Sequence, residues 1–212
     1  MSEPAQIGPN AVLQLVPVLM DRAGAQACAT LLDRAGIRDL PDGLSMIDEG
    51  PVVRLHQAVR TEMPDLAESM ARDAGIGTAR YILAHRIPGA SQRLLRALPW
   101  RLSALLLAKA IAKNAWTFAG SGHFRVHSPL VFELRDNPMV RGETAEAPIC
   151  HWHAAVFETL YRRLVHDDLR CVETHCAATG HDCCRFQLRR DGAVTAQRDA
   201  AHSVAQGRDS PA

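Results

Sequence analysis

Five of the six cysteines in this 212-residue chain lie in one window of 35 residues, between Cys150 and Cys184. The apolar stretch 11–20 has no basic residue before it and is interrupted by Pro17, so it is a poor secretory signal. In the cytosol, where the chain is therefore expected, cysteines stay reduced as thiols. Clustered thiols in such a chain indicate a metal centre, which requires segments distant in sequence to fold against one another.

The spacing within this cluster predicts a strand, a tight loop and a second strand. Glu173, Cys176 and Cys184 are separated by three and eight residues, and the segment 177–182 between them contains a glycine and other turn-forming residues. Cys150 lies where a preceding helix is predicted to begin. Three thiolates and one carboxylate form a tetrahedral donor set that suits zinc, with all four positions filled and therefore structural or regulatory in character.

Strand alternation favours Cys184 over its neighbour Cys183 as the inward-facing thiol. Along a strand, Cys184 shares one apolar face with Phe186 and Leu188. Other residues could still replace a member of the proposed set, and a cysteine is also commonly a small buried hydrophobe. These alternatives are Cys171, Cys183, His175 and His181.

Composition indicates a soluble globular protein. Hydrophobic residues make up 47% and charged residues 22% of the chain, which excludes a disordered or fibrous protein. The 24 basic and 23 acidic residues give a formal charge of +1, so no global field attracts nucleic acid or anionic lipid. Such partners would need a local basic patch, and no strong one is expected.

Three regions are predicted along the chain: a helical region at 1–118, a strand-rich region with the metal site at 119–190, and a disordered tail at 191–212. Asn10 and Ser91 are expected to cap two of the helices. Helices are predicted over 10–20, 25–35, 51–59, 64–86, 91–116 with a break near Pro99, and 151–165; strands are predicted over 123–127, 130–135, 169–174 and 184–189.

The stretch from Trp100 to Trp116 is apolar nearly all the way round. A helix of this kind needs cover on every side, in a core or against a membrane. Lys109 and Lys113 interrupt it, and no segment reaches the ~18 consecutive apolar residues that a transmembrane helix requires.

Motifs for common cofactors are missing. Gly75, Gly77 and Arg80 are the nearest match to a dinucleotide fingerprint, but Arg80 replaces a small residue and a helix is predicted before them. The chain contains no phosphate-binding loop, no nucleophile elbow and no common iron–sulfur spacing. A redox enzyme that carries its own reductant site is disfavoured.

The run Glu173, Cys176, Gly180, Cys184 and Phe186, with Cys150 upstream, resembles the 4-vinyl reductase domain, mainly over residues 120–190. Further stretches extend the resemblance to nearly the whole chain and make it specific to the bacteriochlorophyll-biosynthesis 4-vinyl reductase family. These stretches are 7–10, 86–88, 115–122 and 137–143.

The resemblance implies an α/β (α+β) fold, in which a helical N-terminal half packs on a small antiparallel sheet, as in the 4-vinyl reductase and vesicle-tethering subunit families. It also implies structural zinc at the four matching positions, a homodimer, and a helix-lined cavity for a magnesium tetrapyrrole of the protochlorophyllide or chlorophyllide type. Since no reductant site is visible, the interpretation is an accessory protein that carries the pigment to other pathway enzymes. The alternatives are a vinyl reductase with an external reductant and an interaction module.

Candidate residues for this cavity follow from the chemistry of the ligand. Apolar burial would drive binding of a flat macrocycle between helices from about 77 to 118, where Trp116 and Phe118 are candidate wall residues. Arg80, Arg86 and Arg101 are candidates to pair with a propionate carboxylate at the rim. The expected location is the cytoplasm, with peripheral attachment to the photosynthetic membrane as a further option.

Overall fold

Prolines and glycines divide the N-terminal half of the chain into short and medium helices. The computed structural model describes residues 5–190, and the predicted tail at 191–212 lies outside the described residues. The elements up to residue 119 are β1 (Gln6–Ile7), α1 (Asn10–Leu13), α2 (Leu15–Ala23), α3 (Ala25–Ala35), β2 (Ile47–Asp48), α4 (Glu49–Glu62), α5 (Pro64–His85), α6 (Gly89–Ala97), α7 (Trp100–Lys113) and α8 (Trp116–Ala119).

The C-terminal half contains four strands and one long helix. They are β3 (His123–Ser128), β4 (Val131–Arg135), α9 (His151–Leu164), β5 (Leu169–His175) and β6 (Cys183–Arg190), with 3-10 turns at Pro138–Val140 and Ala177–Thr179. The strands form one antiparallel sheet in the order β3-β4-β6-β5. Together with the helical N-terminal half, this sheet confirms the expected α+β architecture.

Two predicted helix caps were wrong for the same reason. Helix α1 begins at Asn10 itself, directly after Pro9, and α6 begins at Gly89, directly after Pro88. A proline has its φ angle fixed near the helical value, so it starts a helix without a polar cap. At the start of α4, by contrast, the Asp48 carboxylate accepts a hydrogen bond from the Gly50 backbone N–H at 2.9 Å.

Helix α7 is covered on one side only, contrary to the expectation of cover all round. Its buried residues lie three and four positions apart and face the core: Ser103, Ala104, Leu107, Ala108 and Ile111. On the other side, the side chains of Leu102, Leu105 and Leu106 are 42%, 38% and 38% exposed. The apolar character of the helix therefore exceeds what the core requires.

Helix α9 lies at the centre of the fold, against both α5 and the sheet. Its close approach to α5 depends on Gly75, because a Cβ there would lie 2.5 Å from the Trp152 carbonyl oxygen and 2.8 Å from the Ala155 Cβ. On its sheet side, Phe157 packs edge-to-face against Phe132 and Phe186, with ring centroids 5.0 and 5.4 Å apart. Position and orientation of α9 are thus determined from both sides.

Within residues 5–190, no helix combines the length and the apolarity that crossing a bilayer requires.

Candidate functional site

The four predicted metal ligands come together where α9 begins and β5 and β6 meet. Cys150 is the residue before α9, Glu173 lies in β5, Cys176 follows β5, and Cys184 lies in β6. One donor atom of each residue lies within 4.8 Å of the donor atoms of the other three. The three sulfur atoms belong to buried residues. Residues up to 34 positions apart therefore present their donors to one point in the core.

Hydrogen bonds among the thiols concentrate negative charge on one sulfur. The Sγ atoms of Cys150 and Cys184 are 3.3 Å apart. Hydrogen bonds from Cys150 and Cys184, together with the backbone N–H groups of Ile149 and Ala178, lower the pKa of Cys176. Burial raises the pKa of Cys150, which stays a protonated donor. The arrangement holds a thiolate inside the core, which is the form in which cysteine binds metal.

Glu173 supplies the oxygen donor and has one oxygen free of protein partners. Its Oε2 accepts a hydrogen bond from the Cys150 backbone N–H at 2.8 Å, whereas its Oε1 is buried and has no hydrogen-bond partner among the described residues. Burial raises the pKa of Glu173 to about 8, and the neighbouring Cys176 contributes to this rise. A buried, unpartnered carboxylate oxygen beside three sulfurs is costly unless a cation or proton occupies the space between them.

These donors fit a zinc ion. Zinc takes thiolate and carboxylate ligands in a tetrahedron with Zn–S distances of about 2.3 Å, which places sulfurs roughly 3.8 Å apart. The donor atoms of the cluster lie within 4.8 Å of one another, close to that separation. With four protein ligands, zinc would have no open position for substrate. Its contribution there would be structural, holding the start of α9 to the β5–β6 connection.

Asn137 is a further residue of this centre that the sequence did not identify individually. It is buried, and its amide nitrogen lies 3.3 Å from the Cys150 sulfur and 3.5 Å from the Cys184 sulfur. Its Oδ1 accepts a hydrogen bond from the Met139 backbone N–H at 3.1 Å, which orients the amide. Donors of this kind position metal-bound sulfurs and offset their charge. The available signal was membership of the 137–143 stretch.

The alternative ligands lie elsewhere. Cys171 and Cys183 are buried but outside the group of converging donors, and Cys183 lies beside Glu133. His175 and His181 contact each other, with ring centroids 4.7 Å apart, and are also outside that group. The described structure thus brings together the four residues named first and none of these substitutes.

A cavity of about 330 Å³ lies between the N-terminal segment, α5, α7, α8 and α9. Aliphatic and aromatic side chains dominate its wall, including Ile82, Leu107, Val156, Phe157 and Leu160. The indole N–H of Trp152, which also lines the cavity, is buried and has no hydrogen-bond partner among the described residues. An apolar wall with one unpaired donor is typical of a ligand cavity, in which few polar groups fix the orientation of the ligand.

Three of the five candidate cavity residues line this space. Arg86, Trp116 and Phe118 belong to its wall, and Arg86 and Trp116 are also exposed to solvent, which places them at an opening. Arg80 and Arg101 are exposed and are not lining residues; the Arg101 guanidinium lies over the Trp100 ring at 5.4 Å. Of the three arginines, Arg86 alone is placed to meet a carboxylate at the cavity rim.

Gly75, Gly77 and Arg80 lie in the middle of the 22-residue helix α5. A dinucleotide fingerprint requires a strand, a glycine-rich turn and then a helix. The position of these residues therefore confirms that they do not form such a site.

His56 connects α4 to the segment that forms one wall of the cavity. Its Nε2 donates a hydrogen bond to the Ala11 carbonyl at 2.9 Å, and its ring contacts Trp152 edge-to-face at 6.1 Å. Burial lowers the pKa of His56 to about 3, and the nearby charges of Arg60 and His153 contribute to this fall. The ring is neutral at physiological pH.

Acidification is expected to destabilise the protein through this histidine. The folded state keeps His56 neutral, whereas the unfolded chain takes up a proton near pH 6.5, so the stability present above pH 6.5 is lost as the pH falls toward 3. At pH 5 the loss is about 2 kcal/mol relative to pH 7. Urea unfolding at both pH values should show a loss about 2 kcal/mol smaller for His56→Gln, whose amide can still donate to Ala11. Equal losses in the variant and the wild type would contradict this role.

Comparison with known proteins places these features in a family. The family model of the 4-vinyl reductase domain matches residues 130–190, which contain all four converging ligands. The bacteriochlorophyll synthase 23 kDa chain of Cereibacter sphaeroides is 50% identical over 189 residues, which are 88% of this chain and 92% of the relative. The protein of the same name from Rhodobacter capsulatus is 42% identical over 200 residues, 93% of each chain.

Solved structures with the same fold include H-NOX proteins. One, from a study of heme distortion in the H-NOX family, has a TM-score of 0.54 at 11% identity and covers 87% of this chain and 95% of its own. An H-NOX variant from K. algicida has a TM-score of 0.53 at 6% identity, with coverage of 87% and 97%. Likeness at this level of identity shows the fold alone. It is the identity over most of both sequences that assigns this chain, with its 4-vinyl reductase domain, to the family of the bacteriochlorophyll synthase 23 kDa chain.

Proposed function

We propose that the protein is an accessory component of bacteriochlorophyll biosynthesis that binds a magnesium tetrapyrrole, of the protochlorophyllide or chlorophyllide type, and presents it to other enzymes of the pathway. The observation that carries this proposal is the apolar cavity beneath α7 and α9 in a chain that belongs to the bacteriochlorophyll synthase 23 kDa family. Zinc bound by Cys150, Glu173, Cys176 and Cys184 would hold α9 in place as one wall of that cavity.

The shape and chemistry of the cavity support a flat, largely apolar ligand. Its volume of about 330 Å³ is at the small end of the ~300–1,000 Å³ common for ligand sites, so part of the macrocycle would extend through the opening beside Arg86 and Trp116. Burial of the enclosed part contributes roughly 25 cal/mol per Å² of apolar surface. Arg86 could pair with a propionate, and the free indole N–H of Trp152 could donate to a carbonyl oxygen.

Blocking the cavity is expected to weaken pigment binding. Ala110 lies on α7, is exposed, and lines the cavity, so Ala110→Trp would place a large ring in the space without replacing a buried core residue. Ala112 is exposed on the same helix and does not line the cavity, which makes Ala112→Trp the matched control. Titration of protochlorophyllide, followed by its absorption shift, should give a Kd raised at least about tenfold for the first variant only. Equal affinity of both variants and the wild type would exclude this cavity as the site.

Turnover distinguishes a carrier from an enzyme. Purified protein would be incubated without oxygen with divinyl chlorophyllide or divinyl protochlorophyllide, with and without NADPH and flavin, and the pigment would be separated by chromatography. A shifted spectrum with both vinyl groups intact supports a carrier. Conversion to the monovinyl pigment over many cycles would replace the carrier by a reductase that uses an external reductant. Absence of pigment binding, with stable capture of another pathway enzyme, would make the protein an interaction module.

A further inference from the structure

The charges of this chain are segregated along its sequence. Between Asp73 and Glu133 lie 59 residues without a single Asp or Glu, and they include eight Lys or Arg. The rest of the chain has 16 basic and 23 acidic residues, a formal charge of −7. The overall value of +1 thus conceals a strongly cationic segment, and the expectation of no strong basic patch was wrong.

The cations of this segment are exposed and lack carboxylate partners. All eight belong to the exposed class, and none forms an ion pair within residues 5–190. Five lie on or between α6 and α7, two helices that pack against each other: Arg93, Arg96, Arg101, Lys109 and Lys113. A group of unpaired cations with no nearby acid produces a positive surface potential.

The same two helices also carry the exposed leucines. Leu102, Leu105, Leu106, Lys109 and Lys113 follow one another at short helical spacings, mostly three and four residues, so they form a single outward-facing stripe on α7. Helix α6 has no buried residue, and its Leu94 is 57% exposed. Leucines flanked by cations on the outer side of a helix pair are the pattern of a segment that lies in a membrane interface.

We propose that the outer surface of α6 and α7 binds an anionic lipid bilayer, with the leucines inserted among the acyl chains and the lysines and arginines against lipid phosphates. A second copy of this chain is the less suitable occupant, because pairing the surface with itself would bring cations against cations. The argument depends on charge and exposure, and it is independent of which ligand fills the cavity.

Co-sedimentation of the full-length protein with lipid vesicles tests this surface. Vesicles of phosphatidylglycerol and phosphatidylcholine in equal parts should bind the wild type, pure phosphatidylcholine vesicles should bind it much more weakly, and added salt should reduce binding. The double variant Lys109→Glu, Lys113→Glu should lower the partition coefficient by more than about tenfold. The double variant Leu105→Ser, Leu106→Ser should lower it as well, since less apolar surface enters the bilayer.

Matched controls separate the surface from general effects of charge and hydrophobicity. Arg38→Glu, Arg163→Glu reverses two charges outside the cationic segment, and Leu66→Ser removes a leucine that is 39% exposed on α5. Both should bind vesicles as the wild type does. Failure of the wild type to bind phosphatidylglycerol vesicles at low salt, or equal losses in the controls, would overturn the proposal. A wild-type dimer that the leucine substitutions dissociate would overturn it too, by assigning the surface to a second copy.

Pigment titration of the same variants keeps this proposal distinct from the proposed function. Because the outward-facing leucines and lysines do not line the cavity, both double variants should bind protochlorophyllide with the affinity of the wild type. Vesicle binding without any pigment binding would overturn the proposed function and leave the membrane surface supported.

Discussion

Replacement of Cys176 by alanine is expected to remove the bound zinc and to lower the free energy of unfolding by about 3–5 kcal/mol. The Cys176 sulfur is the one on which the hydrogen bonds of the cluster concentrate negative charge. Without it, zinc loses a ligand, and the Glu173 carboxylate and the two remaining sulfurs stay buried without a cation. For a chain of this size, the loss corresponds to a fall in Tm of roughly 10 °C.

Zinc content per chain and thermal unfolding measure this prediction. Cys183→Ala is the matched control, since Cys183 is a buried thiol adjacent to Cys184 in β6 but outside the converging donors. The control should retain one zinc per chain and lose only the packing of its own side chain. If Cys176→Ala instead retains full metal content, Cys176 is not a ligand and the proposed donor set is wrong.

Substitution of Gly75 by alanine is expected to cost about 2–3 kcal/mol, whereas the same change at Gly77 should be neutral or mildly stabilising. At Gly75 the new Cβ would meet the Trp152 carbonyl oxygen at 2.5 Å, and helix backbone cannot yield without separating α5 from α9. At Gly77 the nearest atom, at 2.9 Å, is Oε1 of Gln14, the end of a flexible side chain. Both changes gain up to about 1 kcal/mol of helix propensity.

Urea unfolding of the two variants isolates the interhelical contact, since position, helix and chemical change are otherwise matched. A stability ranking with Gly75→Ala well below the wild type and Gly77→Ala at or above it is the expected result. Similar values for the two variants would show that α5 and α9 have room to adjust.

Helix and strand positions were largely predictable because turn residues and alternation are local signals. Helix α3 has the predicted bounds of 25–35, and the strands containing Glu173 and Cys184 lie within a residue or two of their predicted positions. The starts of α1 and α6 were not predicted, because a polar residue nearby was preferred over the proline that determines the start.

The cavity and Asn137 were beyond local patterns for a different reason. Asn137 contacts Cys150 and Cys184, which are 13 and 47 positions away, and no periodicity within its own turn indicates such a contact. The same holds for Arg86: its position at the opening depends on how α5 meets α7 and α8. The exposed leucines of α7 have a pattern that was visible, but an apolar helix is compatible with a core and with an interface, and packing alone decides between them.

Helix α9 belongs to both halves of the proposed function. Cys150, the residue that precedes its first turn, contributes to the metal centre, and Trp152, Val156, Phe157 and Leu160 along its length form part of the cavity wall. An element shared in this way makes two binding equilibria reciprocal: to whatever extent zinc favours the α9 position that accepts a pigment, bound pigment strengthens zinc binding by the same free energy. Metal supply and pigment loading would then be coupled through one helix.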